Sequence, residues 1–208
     1  MSDSETLHNI DDLAVTRSGA RRLGDDYQDI VALDVLVEWL EHADRFQWVK
    51  VEANEVGVLD DVVTLRTDGS IDVKQVKYSV HPDAVEDPWT WERLVKKASG
   101  TTERAHRSLL ERWADSLDDI RSTWLVHEAV LISNRRAAPD LKAALSLTGT
   151  ADPAKIGTSS WTEIVERLGS DQRASSFLAR FSFRVDQPSL ATLDDSVRRR
   201  FHRLVHLG

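Results

Sequence analysis

The chain has 208 residues, of which 41% are hydrophobic and 30% are charged, which is enough for one sizeable core. It has no cysteine, which excludes disulfides, thiolate zinc sites and cysteine nucleophiles. The net charge of -8 argues against a protein that holds nucleic acid by a bulk positive field. No stretch approaches the roughly 20 apolar residues of a membrane span, and the acidic start lacks a basic signal-peptide head. We therefore expect a cytoplasmic protein with no membrane partner.

The first elements in chain order are a polar arm and a long helix. Residues 1–18 lack a sustained period and predict a flexible N-terminal arm, so we place the folded domain at 19–208. From residue 25 to residue 43 apolar side chains occur on most sides of a helix, which is typical of a helix covered by other elements. Asp25 and Asp26 are expected to cap it.

The next segment, residues 46–80, is rich in β-branched residues and predicts two or three strands. Asp68 and Gly69 form a turn signal between two alternating runs. The last two strands should therefore pair as a hairpin.

Helices and further strands follow the hairpin. Asp87 and Pro88 occupy cap and first-turn positions of a predicted helix, and a clean apolar stripe up to Ile120 predicts another. Residues 124–133 read as a buried strand.

The remaining chain alternates in the same way. A short helix is predicted around 141–145, and Ser160 with Glu163 predicts a capping box for a helix that Gly169 ends. A strand at 181–185 and a final helix complete the order. This pattern is α/β, with a central mixed sheet flanked by helices.

Polar side chains interrupt an apolar face at the end of the predicted hairpin. Ile71, Val73, Gln75 and Lys77 share one side of a strand, because side chains alternate along it. Asp61 directly precedes the partner strand, so the turn brings it across from Gln75. A carboxylate beside an amide oxygen makes an oxygen-lined seat for Mg²⁺.

These residue types suit the hydrolysis of a phosphodiester bond. That reaction needs a metal to neutralise charge on phosphate oxygens, a polarised water and a nearby cation. Asp61 would bind the metal together with Gln75 and the Val76 carbonyl, and Lys77 would position the water or stabilise the transition state. Glu52 is a candidate second carboxylate. Taken singly, however, Lys and Gln are common on solvated strands, and an acidic pair such as Asp60 and Asp61 often simply begins a strand.

The spacing Asp61-x13-Gln75-Val76-Lys77 resembles the Q-x-K variant of the PD-(D/E)XK nucleases, in which Gln replaces an acidic residue. The match extends to the Gly24…Tyr27-Gln28 entry of the first helix. That entry is similar to the double-stranded-DNA endonuclease effector domain of bacterial anti-phage defence proteins. Residues 89–94 and the Ser133-Asn134-Arg135 segment agree as well, so the resemblance covers roughly residues 19–206.

The resemblance implies a restriction-endonuclease-like fold and Mg²⁺-dependent (or Mn²⁺-dependent) cleavage of double-stranded DNA with little sequence selectivity. It also implies activation by oligomerisation through a sensor, such as the SAVED domain of CBASS effectors or a STAND NTPase. We therefore expect residues 19–208 to be the N-terminal effector module of a longer defence protein that is a homo-oligomer when active. Between Asp60 and Asp61, the family pattern favours Asp61 as the ligand.

Local basic strips are the candidate DNA contacts. Arg21 and Arg22 precede the first predicted helix near the expected catalytic edge, and Arg93, Lys96 and Lys97 lie within one helical turn. Gln28 could donate a hydrogen bond at the site. His202 and His206 lie at i and i+4, but two ligands without a third make a poor zinc site.

Three other functions remain open from the sequence. The fold could be a degenerate nuclease that only binds DNA or protein, although Asp61, Gln75 and Lys77 are all present. It could cleave RNA with the same metal chemistry. It could also be an acidic adaptor whose helices after residue 87 dock a partner.

Overall fold

The computed structural model describes residues 17–81, 87–97 and 106–207. Its elements, in chain order, are α1 (Arg17–Glu41), β1 (Phe46–Val51), β2 (Val62–Arg66), β3 (Ile71–Lys77), α2 (Trp91–Val95), α3 (Leu109–Thr123), β4 (Val126–Ser133), α4 (Pro139–Ala144), α5 (Thr158–Leu168), α6 (Asp171–Leu178), β5 (Phe181–Arg184) and α7 (Leu190–Leu207). The predicted α/β class, a mixed sheet flanked by helices, is confirmed.

The sheet has five strands in the spatial order β1-β2-β3-β4-β5. The first three strands are antiparallel neighbours, whereas β3, β4 and β5 run parallel. Parallel neighbours need helical crossovers, which α2 with α3 and α4 to α6 supply. As a result β3 lies at the centre of the sheet, with both of its faces covered.

Each face of the sheet has its own core. The larger core contains side chains of α2, α3, α5 and α6 against one face of the strands, including Ile71 and Val73. The smaller core contains Val62 and Val76 on the opposite face, packed against α1 and α7, with Tyr27 fully buried among them. Alternate residues of β3 therefore enter different cores.

The hairpin forms where it was predicted. Arg66 N–H donates to the Ser70 carbonyl and Gly69 N–H to the Arg66 carbonyl, and Gly69 has a φ of 82° that favours glycine. Register then pairs Leu65 with Ile71 and Val62 with Lys74. Beyond Lys74, β3 continues without a partner strand on its β2 side.

The first helix begins earlier than predicted. Residues 1–16 of the expected arm lie outside the described residues, and Arg17 and Ser18 already belong to α1. Asp25 and Asp26 are exposed residues within the helix and do not cap it. Ala, Arg and Leu between residues 20 and 23 favour helix, so the chain is already helical where the aspartates occur, and an N-cap requires a non-helical backbone.

Two other predicted caps were wrong. Helix α2 is capped by Thr90, whose hydroxyl accepts from the Arg93 N–H, whereas Asp87 binds side chains instead. Helix α5 begins at Thr158 after Gly157 and has no side-chain cap, so Ser160 lies within its first turn. Gly169 does end α5 in the left-handed conformation, as predicted. None of the helices within the described ranges is long and apolar enough to cross a membrane.

Candidate active site

The predicted site lies where β2 and β3 separate. The last paired residues are Val62 and Lys74, and Asp61 precedes Val62. Val76 is the next residue of β3 whose backbone faces β2, because hydrogen-bonding residues alternate along an antiparallel pair. The side chain of Asp61 therefore replaces a strand as the partner of this backbone.

The carboxylate of Asp61 contacts both Gln75 and Lys77. Its Oδ2 accepts from the Val76 N–H at 2.6 Å and from Nε2 of Gln75 through a short hydrogen bond, and Nζ of Lys77 lies 3.9 Å away. All three contacts use Oδ2. Within the described residues, Oδ1 accepts no hydrogen bond. The carboxylate is therefore held by Oδ2, and Oδ1 is available to another partner.

Burial differs between the three side chains. Gln75 is 3% exposed, the Asp61 side chain is 15% exposed and the Lys77 side chain is 42% exposed. Burial raises the pKa of the Asp61 carboxyl above its ordinary value, and the charge of Asp60 raises it further. Lys77, the Val76 N–H and Gln75 oppose this shift in pKa, with Lys77 the largest of the three. A partly desolvated carboxylate with one solvated cation is typical of a functional site.

One detail of the predicted metal seat differs. The amide of Gln75 turns its nitrogen, not its oxygen, towards Asp61, because an ionised carboxylate only accepts hydrogen bonds. Holding a cation between these two residues would require the amide to rotate. The Val76 carbonyl shares the edge of its own N–H, which places a third oxygen at the same position of the sheet.

The two other predicted acidic residues adjoin Asp61 through the backbone, and no described hydrogen bond joins their carboxylates to its side chain. Glu52 is exposed, and its backbone N–H donates to the Asp61 carbonyl at 3.2 Å. Its φ of 52° is unusual for a residue with a side chain. The carbonyl of Asp60 accepts from Ala53, and its carboxylate makes no hydrogen bond to Gln75, Val76 or Lys77 among the described contacts. The geometry thus distinguishes Asp61 from Asp60.

Gln28 does not make the expected hydrogen bond. It lies on α1, which packs on the smaller core, and no described hydrogen bond joins it to Asp61, Gln75 or Lys77. The neighbouring Tyr27 connects α1 to this end of the sheet, because its ring lies 5.1 Å from the ring of Tyr78, directly after β3. Burial, and then Tyr78, raises the pKa of Tyr27 to about 12.

Some of the predicted DNA-contact residues lie near this end of the sheet. Tyr27 is near Tyr78, and Asp34 is near Lys74, so the beginning of α1, with the exposed Arg21 and Arg22, extends beyond the end of β3. Arg93 on α2 binds Asp87. Lys96 and Lys97, after α2, are exposed.

The basic run of α7 is largely neutralised within the molecule. Its arginines at 198, 199 and 200 bind carboxylates of α7 itself or of α1, while His202 and His206 stack with ring centroids 6.1 Å apart. The ion pairs are Arg198–Asp194, Arg199–Asp195, Arg200–Asp34 and Arg200–Glu41.

No three His, Asp or Glu side chains cluster as a metal site within the part of the chain that the structure describes. A cation at the Asp61 edge would therefore rest on one carboxylate, the Gln75 amide oxygen and the Val76 carbonyl. These are hard oxygen donors of the kind that Mg²⁺ binds, and Mg²⁺ commonly keeps several waters and needs few protein ligands. The donor set fits this ion.

Two residues at the same end were not singled out as site residues. Buried Asn134 accepts from the Ser79 N–H at 2.7 Å and donates to the Ser79 carbonyl at 2.8 Å, which fixes the chain where it leaves β3. Arg135 contacts Trp89 and Asp87. Their position directly after a strand that is parallel to β3 was the available signal, because such strand ends meet at one edge.

Comparison with known proteins does not add to this geometry, since no protein-family model and no curated protein matches the chain.

Proposed function

We propose that the chain is a metal-dependent endonuclease that hydrolyses double-stranded DNA at the edge formed by Asp61, Gln75 and Lys77. The observation that carries the proposal is the convergence of the Gln75 and Lys77 side chains on one carboxylate oxygen of Asp61 where β2 and β3 separate. Asp61 is 14 positions before Gln75 in the chain, and the hairpin brings the two together. The resemblance to the Q-x-K nucleases supports the same assignment.

Each residue at this edge would have its own role in the hydrolysis. Asp61, Gln75 and Val76 would hold Mg²⁺ or Mn²⁺, which when bound neutralises phosphate charge and lowers the pKa of water. Lys77 keeps its ammonium 3.9 Å from Oδ2 of Asp61 and is partly solvated, so it can reach a phosphate oxygen or orient the attacking water. Glu52 offers a second, exposed carboxylate at the same edge.

The same experiment distinguishes two alternative functions. An RNA nuclease would use the same residues, and a degenerate nuclease would bind without cleaving. As the resemblance implies, activity would depend on oligomerisation by a SAVED or STAND NTPase sensor. The assay therefore uses high protein concentrations.

The experiment is cleavage of supercoiled plasmid and of a structured RNA by the purified chain in Mg²⁺, with and without EDTA. We expect nicking or fragmentation of plasmid that EDTA stops and that K77M lowers on the order of 100-fold or more. K142M is the matched control, because Lys142 is an exposed lysine bound to Asp186 after β5. Degraded RNA beside intact plasmid would show the RNA nuclease, and cleavage of neither at any concentration would contradict the proposal.

A further inference from the structure

Two arginines share one carboxylate and one indole ring at the end of β4. Nη1 of Arg135 lies 2.8 Å from Oδ2 of Asp87 and donates to the Asp87 carbonyl at 3.1 Å, and Arg93 binds Oδ1 of Asp87. The guanidinium carbons of Arg93 and Arg135 lie 5.5 and 5.3 Å from the ring centroid of Trp89. This group is called the arginine pair below.

The arginine pair is adjacent to Lys77. Trp89 donates from Nε1 to the hydroxyl of Ser133 at 3.1 Å, and Ser133 is the register partner of Lys77. Paired residues of parallel strands point to the same face, so the Ser133 and Lys77 side chains are neighbours about 4.8 Å apart across the sheet. Asp61, Lys77 and the arginine pair thus lie on the same face of the sheet, near the C-terminal ends of β3 and β4.

The charges of the arginine pair are not balanced. Elsewhere in the described part of the chain, Arg173 binds two carboxylates, Asp115 and Asp118. Among the ion pairs of the described residues, these two guanidinium groups share one carboxylate, which gives this group of side chains a net positive charge.

The environment of Arg135 makes this excess charge costly. Burial, and then the charge of Arg93, lowers the pKa of Arg135, while Asp87 acts in the opposite direction. The side chain of Arg135 is 14% exposed and that of Asp87 is 44% exposed. The buried Arg135 cation therefore depends on an anion that is itself open to solvent.

We infer that Arg93 and Arg135, held on Trp89, form a binding subsite for a backbone phosphate of the nucleic acid, and that Asp87 occupies this subsite until a phosphate displaces it. A guanidinium fork binds a carboxylate and a phosphate in the same bidentate way, so one can replace the other. This inference rests on the proposed function for its substrate, but it concerns binding and not hydrolysis.

The test is the Kd of the full chain for a fluorescein-labelled 20-bp DNA duplex, measured by anisotropy in EDTA so that nothing is cleaved. D87N removes the competing charge and keeps the side chain's size, so we expect Kd to fall about fivefold to tenfold. R135Q and R93Q should each raise Kd by about tenfold and lower the salt slope by about one. R173Q is the matched control and should leave Kd unchanged.

The melting temperature of each variant shows whether it is folded. If R135Q does not fold, the Kd of D87N tests the inference. A D87N protein that binds no more tightly than wild type, or R135Q and R93Q variants that bind like R173Q, would overturn the inference. So would a complete lack of duplex binding by all variants.

The two proposals fail differently. Tighter binding by D87N without plasmid cleavage by the wild type would leave the subsite standing and remove the nuclease. Metal-dependent cleavage with unchanged Kd in all three variants would support the nuclease and contradict the phosphate subsite.

Discussion

At the scale of single residues, the buried carboxylate of Asp61 lowers the stability of the fold. Asp61 is held by three hydrogen-bonding or charged groups, yet burial outweighs them and raises its pKa above the ordinary 3.8. A carboxyl whose pKa is raised by folding destabilises the fold once it ionises. The penalty grows as pH rises through 3.8 to the pKa in the folded protein, and it is fully present above that value.

We therefore expect D61N to be more stable than the wild type at pH 7 by about 0.5–2 kcal/mol, because the asparagine keeps an acceptor for Val76 without the charge. The difference should shrink as pH falls towards 4. Urea unfolding at a series of pH values checks this, with D25N as control because Asp25 is exposed on α1, away from these contacts. A D61N protein that is less stable at neutral pH would contradict the predicted cost of ionising Asp61.

Glu52 gives a second prediction at this scale. Its φ of 52° costs a residue with a side chain about 1–2 kcal/mol relative to a right-handed backbone. We expect E52G to gain about 0.5–1 kcal/mol in free energy of unfolding, since glycine also loses more chain entropy.

The same change should weaken the effect of Mg²⁺ on plasmid cleavage, if Glu52 supplies a carboxylate there. D186G is the matched control, because Asp186 has a φ of 57° but lies after β5. An E52G protein that gains stability and keeps its Mg²⁺ dependence would remove Glu52 from the site.

At the scale of elements, the loop between β1 and β2 positions Asp61. Gly57 has a φ of 70°, and a Cβ there would lie 2.6 Å from the hydroxyl oxygen of Ser116 on α3. That hydroxyl accepts from the Val58 N–H at 3.1 Å, so the loop is docked onto the helix.

We expect G57A to lower the free energy of unfolding by about 1–3 kcal/mol and to lower cleavage further than stability alone explains. The effect of G57A has two causes, the positive φ and the clash with Ser116. G69A separates them, because Gly69 has a φ of 82° but nothing within 4 Å of its Cβ position. Equal losses in both variants, measured by urea unfolding, would show that only the backbone conformation matters.

The sequence predicted the hairpin and its register because the turn and the alternation are local. The same alternation placed Gln75 and Lys77 on one face, and the turn placed Asp61 opposite them. The helix starts could not be predicted as well, since Asp25, Asp87 and Ser160 all look like caps in one dimension. None of them is a cap: Asp25 and Ser160 lie in helices that have already begun, and Asp87 comes before the Thr90 cap of α2.

Tertiary packing decided what the sequence left open at the site. Helix α1, which carries Gln28, packs on the face of Val76, whereas Gln75 and Lys77 belong to the other face. The pairing of Arg135 with Asp87 joins residues 48 positions apart. Only the parallel placement of β3 and β4 brings them to Lys77.

At the scale of the whole molecule, charge is distributed unevenly. The net charge is -8, and the arginines at 198 and 199 are paired with aspartates one turn away. Lys96 and Lys97, which follow Arg93 in the chain, are exposed and have no such partner among the described ion pairs.

We expect K96A/K97A to weaken duplex binding and to lower the salt slope by about two. R198A/R199A removes the same charge from α7 and should change neither quantity. Anisotropy titrations between low and moderate salt check this. A larger effect of the α7 variant would move the DNA interface to the opposite part of the molecule.

The central claim is that Asp61 and Gln75 hold a cation beside Lys77, and the change in Tm on adding Mg²⁺ tests it without requiring activation. At about ten times Kd, Mg²⁺ should raise Tm by about 3–5 °C in the wild type. Without metal, Q75E should melt lower, because two carboxylates adjoin, and Mg²⁺ should raise its Tm by more than in the wild type. D61N should show no shift. An unchanged Tm in both the wild type and Q75E, or a D61N shift equal to that of the wild type, would contradict the claim.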